Sequence, residues 1–398
     1  MKYPKTCTER RVTMPGPPPA GFQSRFLLCT LLFAASATAA PDGMRAGWGI
    51  TVLEDDVLKL AVQMGVRDVV LYGGPGAKTV PGTGQPLTTD RATYEQYLAA
   101  RQRLERFGLR LAAVEGGFIH LPKYHDIVFG GPQRDRLIDE VIAEIRDMAR
   151  ARVPVYGYNW MPLLVWRTKP SPIRGDAEAT AFDNRLAQKA TDRASCIELR
   201  KELNWALMTC EAAPGPEEPK PTEESMWANL EYWIRKVTPE AEKAGIRLGI
   251  HPDDPPVASL AGVPRLMRNH AAYRRLLDIY PSDANAIEFC QGTFSEMPDD
   301  VYEAIRYFGA RNKILYVHFR NVSGPVPAFR EEFINTGYVD MAKAMRTYKE
   351  VGYKGIFIDD HCPKVPGDTA FPGNLGGYRT RLHALGYIQA LIDTVAGR

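Results

Sequence analysis

The sequence lacks several features that mark common functional classes. Its 398 residues contain 50 Lys and Arg against 47 Asp and Glu, and no basic run is present. So small an excess gives little electrostatic attraction for nucleic acid. The six cysteines include no CxxC pair, and no glycine-rich nucleotide fingerprint follows any predicted strand. We therefore expect no nucleic-acid partner, no disulfide scaffold and no nucleotide-binding open sheet.

Long apolar runs are also missing. The run FLLCTLLFAASATAA at 26–40 is about 15 residues long, whereas a membrane-spanning helix needs about 20. Basic residues precede this run and small residues end it, which is the layout of a secretory signal with its cleavage site. We predict a signal peptide at 1–40 and a periplasmic or secreted mature protein without a membrane segment. The alternative is a translation start at Met14 or Met44, which would make the protein cytoplasmic.

From residue 44 onward, short apolar runs alternate with amphipathic stretches. The runs lie at 46–50, 68–73, 110–116, 153–160, 246–251, 286–290, 314–319 and 355–360. Strands that are apolar throughout are buried on both faces, as in a parallel sheet covered by helices. The segments 135–151 and 339–352 have helical periodicity. Eight such units predict a single (β/α)₈ TIM barrel over residues 44–398.

One stretch interrupts this alternation. Residues 163–225 are rich in charge and proline, for example EAAPGPEEPKPTEE at 211–224. We predict an insertion after the fourth strand that forms a partly ordered cap rather than a second domain. The insertion contains Cys196 and Cys210, which lie 14 residues apart and could pair in an oxidising compartment.

Polar side chains follow the last four predicted strands at the point where each strand ends. They are His251, Cys290, His318 and Asp360, the last followed by His361. The C-terminal ends of barrel strands share one rim, so we expect these side chains to converge. Two imidazoles, a thiolate and a carboxylate suit Zn²⁺, Fe²⁺, Co²⁺ or Mn²⁺, and are too soft a set for Mg²⁺ or Ca²⁺. Each residue alone has a structural explanation, but a divalent metal explains all four together.

The sequence resembles the mannonate dehydratase family in a series of segments that keep their order over about residues 110–390. These segments are YNWMP (158–162), GIRLGIHPDDPP (245–256), GVPR (262–265), CQGT (290–293), HFR (318–320), GYVDM (337–341), DH (360–361) and GY (377–378). HPDDPP is the most specific of them. The resemblance implies a xylose-isomerase-like barrel with a divalent metal, commonly Mn²⁺ or Fe²⁺. By motif matching, the ligands would be His251, Cys290, His318 and Asp360.

The resemblance also implies an activity, the loss of water from D-mannonate to give 2-keto-3-deoxy-D-gluconate. Such a reaction needs a base for the C2 proton and an acid for the departing C3 hydroxyl, each typically worth about 10²–10⁴-fold. His361 and Tyr378 would form this proton-transfer pair, without a decision on which is the base. Arg320 would bind the substrate carboxylate, or would instead form a salt bridge with a neighbouring acid.

Three further residues are predicted to bind the sugar acid. Glu115 ends the third predicted strand, His120 follows five residues later, and Asn159 lies at the end of the fourth. Each could equally have a plain role in its loop. Asp253 and Asp254 could orient His251 or simply form the turn before two prolines.

The match fails at the first two strands, where Gly47-Trp48-Gly49 and the glycine-rich loop after Tyr72 stand in place of the expected Arg-Trp-Tyr-Gly and His-His elements. The family does not ordinarily carry an export signal either. The substrate could therefore differ while the metal and reaction type are kept. The alternatives are a metal-dependent sugar isomerase or epimerase on the same barrel, and a non-catalytic periplasmic sugar-binding protein. A homodimer is the default expectation for such a barrel.

Overall fold

The structure is a computed structural model of the full chain. It describes residues 43–79, 86–87, 91–116, 122–204, 209–373 and 376–397. The predicted signal peptide at 1–40 lies outside the described residues. None of the described helices combines the length and apolarity that crossing a bilayer requires.

Eight parallel strands close into a barrel, as the alternation of apolar runs predicts. They are β1 (Arg45–Ile50), β2 (Asp68–Tyr72), β3 (Arg110–Glu115), β4 (Val155–Tyr158), β5 (Arg247–Ile250), β6 (Asn285–Cys290), β7 (Ile314–His318) and β8 (Ile356–Ile358). Each strand pairs with its neighbours in chain order, and β8 returns to β1. The (β/α)₈ barrel is therefore confirmed.

Helices cover the outside of the barrel and fill its connections. They are α1 (Asp55–Gln63), α2 (Tyr94–Glu105), α3 (His125–Phe129), α4 (Arg134–Arg150), α5 (Asn184–Ala187), α6 (Arg193–Leu203), α7 (Glu223–Ala244), α8 (His270–Ile279), α9 (Gln291–Glu296), α10 (Val301–Gly309), α11 (Met341–Glu350) and α12 (Tyr378–Ala396). Helix α4 shows the governing pattern, since Leu137, Val141, Ile145 and Met148 recur on one buried face.

Local signals in the sequence account for where the longest helix begins and ends. The Thr222 side chain accepts a hydrogen bond from the backbone N–H of Ser225, whose hydroxyl accepts one from the backbone N–H of Thr222, so the first turn of α7 is capped. The helix ends at Gly245, whose φ of 71° is the left-handed conformation that glycine adopts without strain. Strand β5 begins two residues later.

The described residues between β4 and α7 contribute no strand to the barrel. A short ribbon pairs Ser171–Pro172 with Glu178–Ala179, and Ala181–Asp183 pairs with Ala328–Arg330 after β7. Helices α5 and α6 follow. Cys196, within α6, forms a disulfide with Cys210. The boundaries of the predicted insertion at 163–225 stay a prediction.

A glycine inside the barrel makes room for charged side chains. A Cβ at Gly157 in β4 would collide with the Tyr316 hydroxyl and with Oε2 of Glu288. The barrel interior therefore holds polar groups close to the backbone, directly below the strand ends.

Candidate functional site

The four predicted ligands meet at the C-terminal rim. Cys290 and His318 occupy paired positions on β6 and β7. His251 follows β5, and its donor atom lies with those of Cys290 and His318 within 4.8 Å of one another. Asp360, after β8, has Oδ2 at 3.7 Å from the Cys290 sulfur and 3.6 Å from Nδ1 of His318. All four side chains are buried, so the structure brings the predicted set together.

The tautomer of His251 follows from its hydrogen bond. Its Nδ1 lies 2.7 Å from the carbonyl oxygen of Pro252. A carbonyl only accepts, so Nδ1 carries a proton, and Nε2 is the nitrogen left to bind a metal. An imidazole held in this way is the usual form of a histidine metal ligand.

The charge state of the site also fits a cation. Burial opposes ionisation of the Cys290 thiol, but the Arg320 guanidinium and the His251 and His318 rings lower its pKa to about 5. Neither ring nitrogen of His318 makes a hydrogen bond of good geometry, although the side chain is buried and acidic oxygens lie 3.2 Å from Nε2 and 3.6 Å from Nδ1. Unpaired buried polar atoms are costly in a folded protein. The donor set therefore fits a divalent transition metal.

Two carboxylates lie on the other side of His318. Its Nε2 is 3.2 Å from Oε2 of Glu115 and 3.4 Å from Oε1 of Glu288. Burial and the Glu115 charge raise the pKa of Glu288. The sequence analysis missed Glu288. The available signal was its spacing, because residues two apart in a strand share a face and Glu288 precedes Cys290 by two.

The Arg320 guanidinium is fully engaged with the protein. Its five N–H groups donate to Asp360 (2.9 Å), Glu296 (2.9 Å), Glu331 (2.8 Å), Asp254 (3.0 Å) and Thr293 (2.9 Å). The structure thus shows the salt-bridged alternative of the two considered for Arg320. Binding of a substrate carboxylate by Arg320 stays a prediction, and it would require one of these bonds to break.

His361 lies beside the ligand set. Its Nδ1 is 2.9 Å from Oε1 of Glu331, and its Nε2 is 3.8 Å from Oδ1 of Asp360. Tyr378 begins α12, and its ring packs 5.1 Å from Phe371. In the described residues no contact joins Tyr378 to His361, so the sequence prediction of a proton-transfer pair stays untested.

The remaining predicted residues have different surroundings. Glu115 contacts His318 as described above, and about a quarter of its side chain is exposed. Asn159 accepts a hydrogen bond through Oδ1 from the backbone N–H of Met161 at 3.0 Å, which is a loop role. His120 lies outside the described residues. Their substrate-binding roles stay predictions.

Asp253 and Asp254 brace other residues rather than His251. Oδ2 of Asp253 accepts a hydrogen bond from the backbone N–H of Met267 at 2.6 Å. Asp254 forms a buried ion pair with Arg167, through both of its oxygens. Nδ1 of His251 is hydrogen-bonded to the Pro252 carbonyl oxygen and not to either aspartate. The contacts of Asp253 and Asp254 with Met267 and Arg167 are roles that the sequence did not predict.

Tyr72, at the end of β2, also faces the site. Its ring stands edge-on to His318 with 6.2 Å between ring centroids, and its buried hydroxyl has no hydrogen-bond partner. The sequence analysis gave Tyr72 no site role. Whether the Tyr72 side chain points into the barrel depends on the register of β2, which is fixed only when the barrel closes.

The strand order and the rim define a xylose-isomerase-like (β/α)₈ barrel with a metal-competent set of side chains at its C-terminal end. A xylose isomerase domain protein from Alicyclobacillus acidocaldarius shares the fold, with a TM-score of 0.54 at 13% identity over 89% of this chain and all of that chain.

More specific similarities identify the family. The family model described as D-mannonate dehydratase (UxuA) matches residues 75–397. A mannonate dehydratase of Streptococcus pneumoniae is 33% identical over 294 residues, covering 70% of this chain and 77% of that protein. The crystal structure of mannonate dehydratase from Streptococcus suis superposes with a TM-score of 0.71 at 28% identity, covering 90% of this chain and 95% of that one. The chain belongs to the mannonate dehydratase family.

Proposed function

We propose that this protein is a metal-dependent hydro-lyase that removes water from D-mannonate to give 2-keto-3-deoxy-D-gluconate. The observation that carries the proposal is the convergence of His251, Cys290 and His318 within 4.8 Å at one barrel rim. The similarity to mannonate dehydratases supports the choice of reaction and substrate.

The proposed ligands are His251, Cys290, His318 and Asp360. A divalent metal at this site would supply Lewis-acid stabilisation of the charge that develops on the substrate. The Asp360 carboxylate stays ionised because, although burial opposes this, the neighbouring His361 and His318 hold its pKa well below its usual range. The mixed nitrogen, sulfur and oxygen donors suit Zn²⁺, Fe²⁺, Co²⁺ or Mn²⁺, and we propose Mn²⁺ or Fe²⁺ as the resident ion because the family resemblance implies these two.

Proton transfer at C2 and C3 is proposed to involve His361 and Tyr378. His361 supports this role because its ring lies beside the ligand set with one nitrogen facing Asp360. Tyr378 is proposed from the family resemblance alone. Substituting phenylalanine for Tyr378 and, separately, for Tyr72 tests the assignment. Loss of turnover only in Tyr72→Phe would transfer the acid role to Tyr72.

Substrate contacts are proposed for Glu115, His120, Asn159 and Arg320. Glu115 is the best supported of them, since it combines partial exposure with proximity to a proposed ligand. For Arg320, the more direct proposal is that it braces Asp360, because its Nε donates to Oδ2 of that carboxylate.

The compartment and the assembly are also proposals. Export to the periplasm by the predicted signal at 1–40 is supported by the Cys196–Cys210 disulfide, since such bonds persist in oxidising compartments. A homodimer remains the default proposal for its oligomeric state.

A second candidate function, sugar isomerisation or epimerisation, has one observation in its favour. Metal sites for that chemistry on this kind of barrel often use two facing glutamates, and Glu115 and Glu288 both lie within 3.4 Å of His318. The thiolate of Cys290 favours the dehydratase.

The test is an assay of the purified protein with D-mannonate and either Mn²⁺ or Fe²⁺. We expect a 2-keto product, loss of turnover with a chelator and recovery when the metal is restored. Aldose–ketose exchange or epimerisation without dehydration would support the second candidate. Sugar binding without any turnover would contradict both and leave a binding protein.

A further inference from the structure

A second group of buried ionisable side chains lies beside the proposed ligand set. Asp254, Glu331 and His361 bring their polar atoms within 4.8 Å of one another. This group does not need a metal, because the Arg167 guanidinium already supplies the positive charge. Arg167 pairs with both carboxylates, and none of its side chain is exposed.

The acceptors around Arg167 indicate which ring nitrogen of His361 carries a proton. Nη2 of Arg167 has two hydrogens, which it donates to Asp254 at 2.8 Å and Glu331 at 2.6 Å. Its 3.2 Å approach to Nδ1 of His361 is therefore at most the weaker arm of a three-centre hydrogen bond. Nδ1 instead lies 2.9 Å from Oε1 of Glu331. A carboxylate held by two guanidinium groups acts as an acceptor, so Nδ1 carries the proton.

The remaining nitrogen of His361 faces the ligand set. In the neutral ring, a proton on Nδ1 leaves the lone pair on Nε2, which lies 3.8 Å from Oδ1 of Asp360. The ring is thus presented as an acceptor on the side where the reaction is proposed to occur. An imidazole oriented by a carboxylate through its other nitrogen is a recurring arrangement for general bases.

The two residues that hold His361 come from loops outside the barrel strands. Arg167 follows β4, and Glu331 follows β7. The two loops are joined by the antiparallel ribbon of Ala181–Asp183 with Ala328–Arg330. In addition, the backbone N–H of Glu331 donates to the carbonyl oxygen of Thr180 at 2.9 Å. The segment after β4 therefore helps to fix the position of the residue that contacts His361.

We propose that Glu331 and Arg167 are positioning residues that hold His361 in its Nδ1-protonated form with Nε2 toward the ligand set. This inference rests on the proposed function, in which His361 transfers a proton. Neither residue is proposed to touch the substrate.

Glu331→Gln is the sharpest change, because it exchanges one acceptor oxygen for an NH₂ donor at nearly constant size. Oε1 of Glu331 faces Arg167 and His361, and Oε2 faces Arg320 at 2.8 Å. The NH₂ group of the glutamine would therefore face the guanidinium of either Arg167 or Arg320, and neither guanidinium can accept a hydrogen bond. We expect kcat to fall about 10²-fold, the loss that a small misplacement of a catalytic group causes. KM should stay within about threefold of wild type, and the metal content should be unchanged.

Three variants complete the kinetic test. Glu332→Gln is the matched control, because Glu332 pairs with Arg330 at 2.9 Å and accepts from Thr336 at 3.0 Å, and it should retain wild-type kcat. Glu331→Asp keeps the charge and should recover at least about tenfold of the lost rate. Arg167→Lys cannot bridge both carboxylates, and it should lower kcat about tenfold.

Unchanged kcat in Glu331→Gln, or a loss of metal in parallel with the loss of rate, would overturn the proposal. The second outcome would mean that Glu331 acts through the ligand set rather than through His361. A failure of Glu331→Asp to recover more rate than Glu331→Gln would overturn it as well.

A measurement on the wild-type protein decides the case even where a variant fails to fold. With Zn²⁺ as a diamagnetic probe and ¹⁵N-labelled histidine, the signals of His361 report which ring nitrogen carries the proton. They are assigned by their loss in His361→Gln. We expect a protonated Nδ1 and an unprotonated Nε2, and the reverse tautomer would overturn the proposal.

The proposed function and the positioning of His361 can fail separately. If wild-type protein has the expected tautomer but does not dehydrate D-mannonate, the proposed function is wrong and the positioning of His361 stands. If it dehydrates D-mannonate with Nε2 protonated, the proposed function stands and the positioning is wrong.

Discussion

Cys290 and His318 lie directly opposite each other on neighbouring parallel strands, β6 and β7. Paired positions in a sheet point their side chains to the same face, and here that face is the barrel interior at its C-terminal rim. The thiol and the imidazole are therefore brought together by strand register.

Removal of the Cys290 sulfur should abolish metal binding. We expect Cys290→Ala to weaken the affinity for Mn²⁺ more than about 100-fold, since even residues that only orient a ligand are worth 10–100-fold. Metal content after dialysis, measured by mass spectrometry of the ion, checks this. The control is Cys362→Ser at the other free cysteine, which should keep its metal. Retention of a full equivalent by Cys290→Ala would contradict the ligand assignment.

His361 and His251 should separate proton transfer from metal binding. We expect His361→Ala to keep the metal and lose about 10²–10⁴-fold in kcat, the usual contribution of a general acid or base. His251→Ala should lose both. Full activity in His361→Ala would show that another group transfers the proton.

Metal loading should stabilise the folded protein. A ligand that binds only the native state adds about 2.7 kcal/mol at a free concentration of 100 times its Kd. The melting temperature should therefore rise on adding Mn²⁺ to chelator-treated wild type. The rise should be absent in His251→Ala. An equal rise in both proteins would place the ion elsewhere.

The Cys196–Cys210 disulfide should stabilise the segment between β4 and α7. It closes a loop with a sequence separation of 14 residues, and a bond of this kind is typically worth about 2–4 kcal/mol. We expect the double variant Cys196→Ser and Cys210→Ser to unfold at lower denaturant concentration than oxidised wild type. Reductant should lower the stability of wild type toward that of the variant, and it should leave the variant unchanged. Sensitivity of the variant to reductant would contradict this account.

Glu144 on α4 should contribute stability that declines as the pH rises. It accepts hydrogen bonds from the Tyr97 hydroxyl at 2.7 Å and the backbone N–H of Ala92 at 2.9 Å, and burial raises its pKa. The folded state then binds this proton more tightly than the unfolded chain does. The contribution is full below the unfolded pKa and is lost as the pH passes the raised folded pKa.

Glu144→Gln cannot titrate at this position. The stability of wild type relative to Glu144→Gln should therefore fall as the pH rises above the ordinary glutamate pKa of about 4.3, as measured by urea unfolding at each pH. A constant difference between the two proteins, or one that grows with pH, would contradict the assigned direction.

Much of the ligand set could be predicted from the sequence, because barrel geometry sends the ends of consecutive strands to one rim. His251, Cys290, His318 and Asp360 each follow an apolar run, so their convergence needed only the correct fold. The fold itself was readable because the strands are apolar throughout and the connecting segments have helical periodicity.

The residues around the ligands could not be predicted in the same way. Arg167 and Glu331 meet although 164 residues separate them, and their loops are joined by a two-stranded ribbon that no periodicity in the sequence indicates. The hydrogen bonds of Arg320 could not be predicted either, since they depend on five acceptors that come from several elements. Glu288 was also missed, although an acidic residue within the apolar run AIEFC is a signal of an inward-facing charge.

The most direct test of the central claim is a crystal structure of the protein loaded with Mn²⁺, with the ion located by its anomalous scattering. We predict one peak within bonding distance of His251, Cys290, His318 and Asp360. A peak held by Glu115 and Glu288 without the Cys290 sulfur, or the absence of any peak at the rim, would contradict the account.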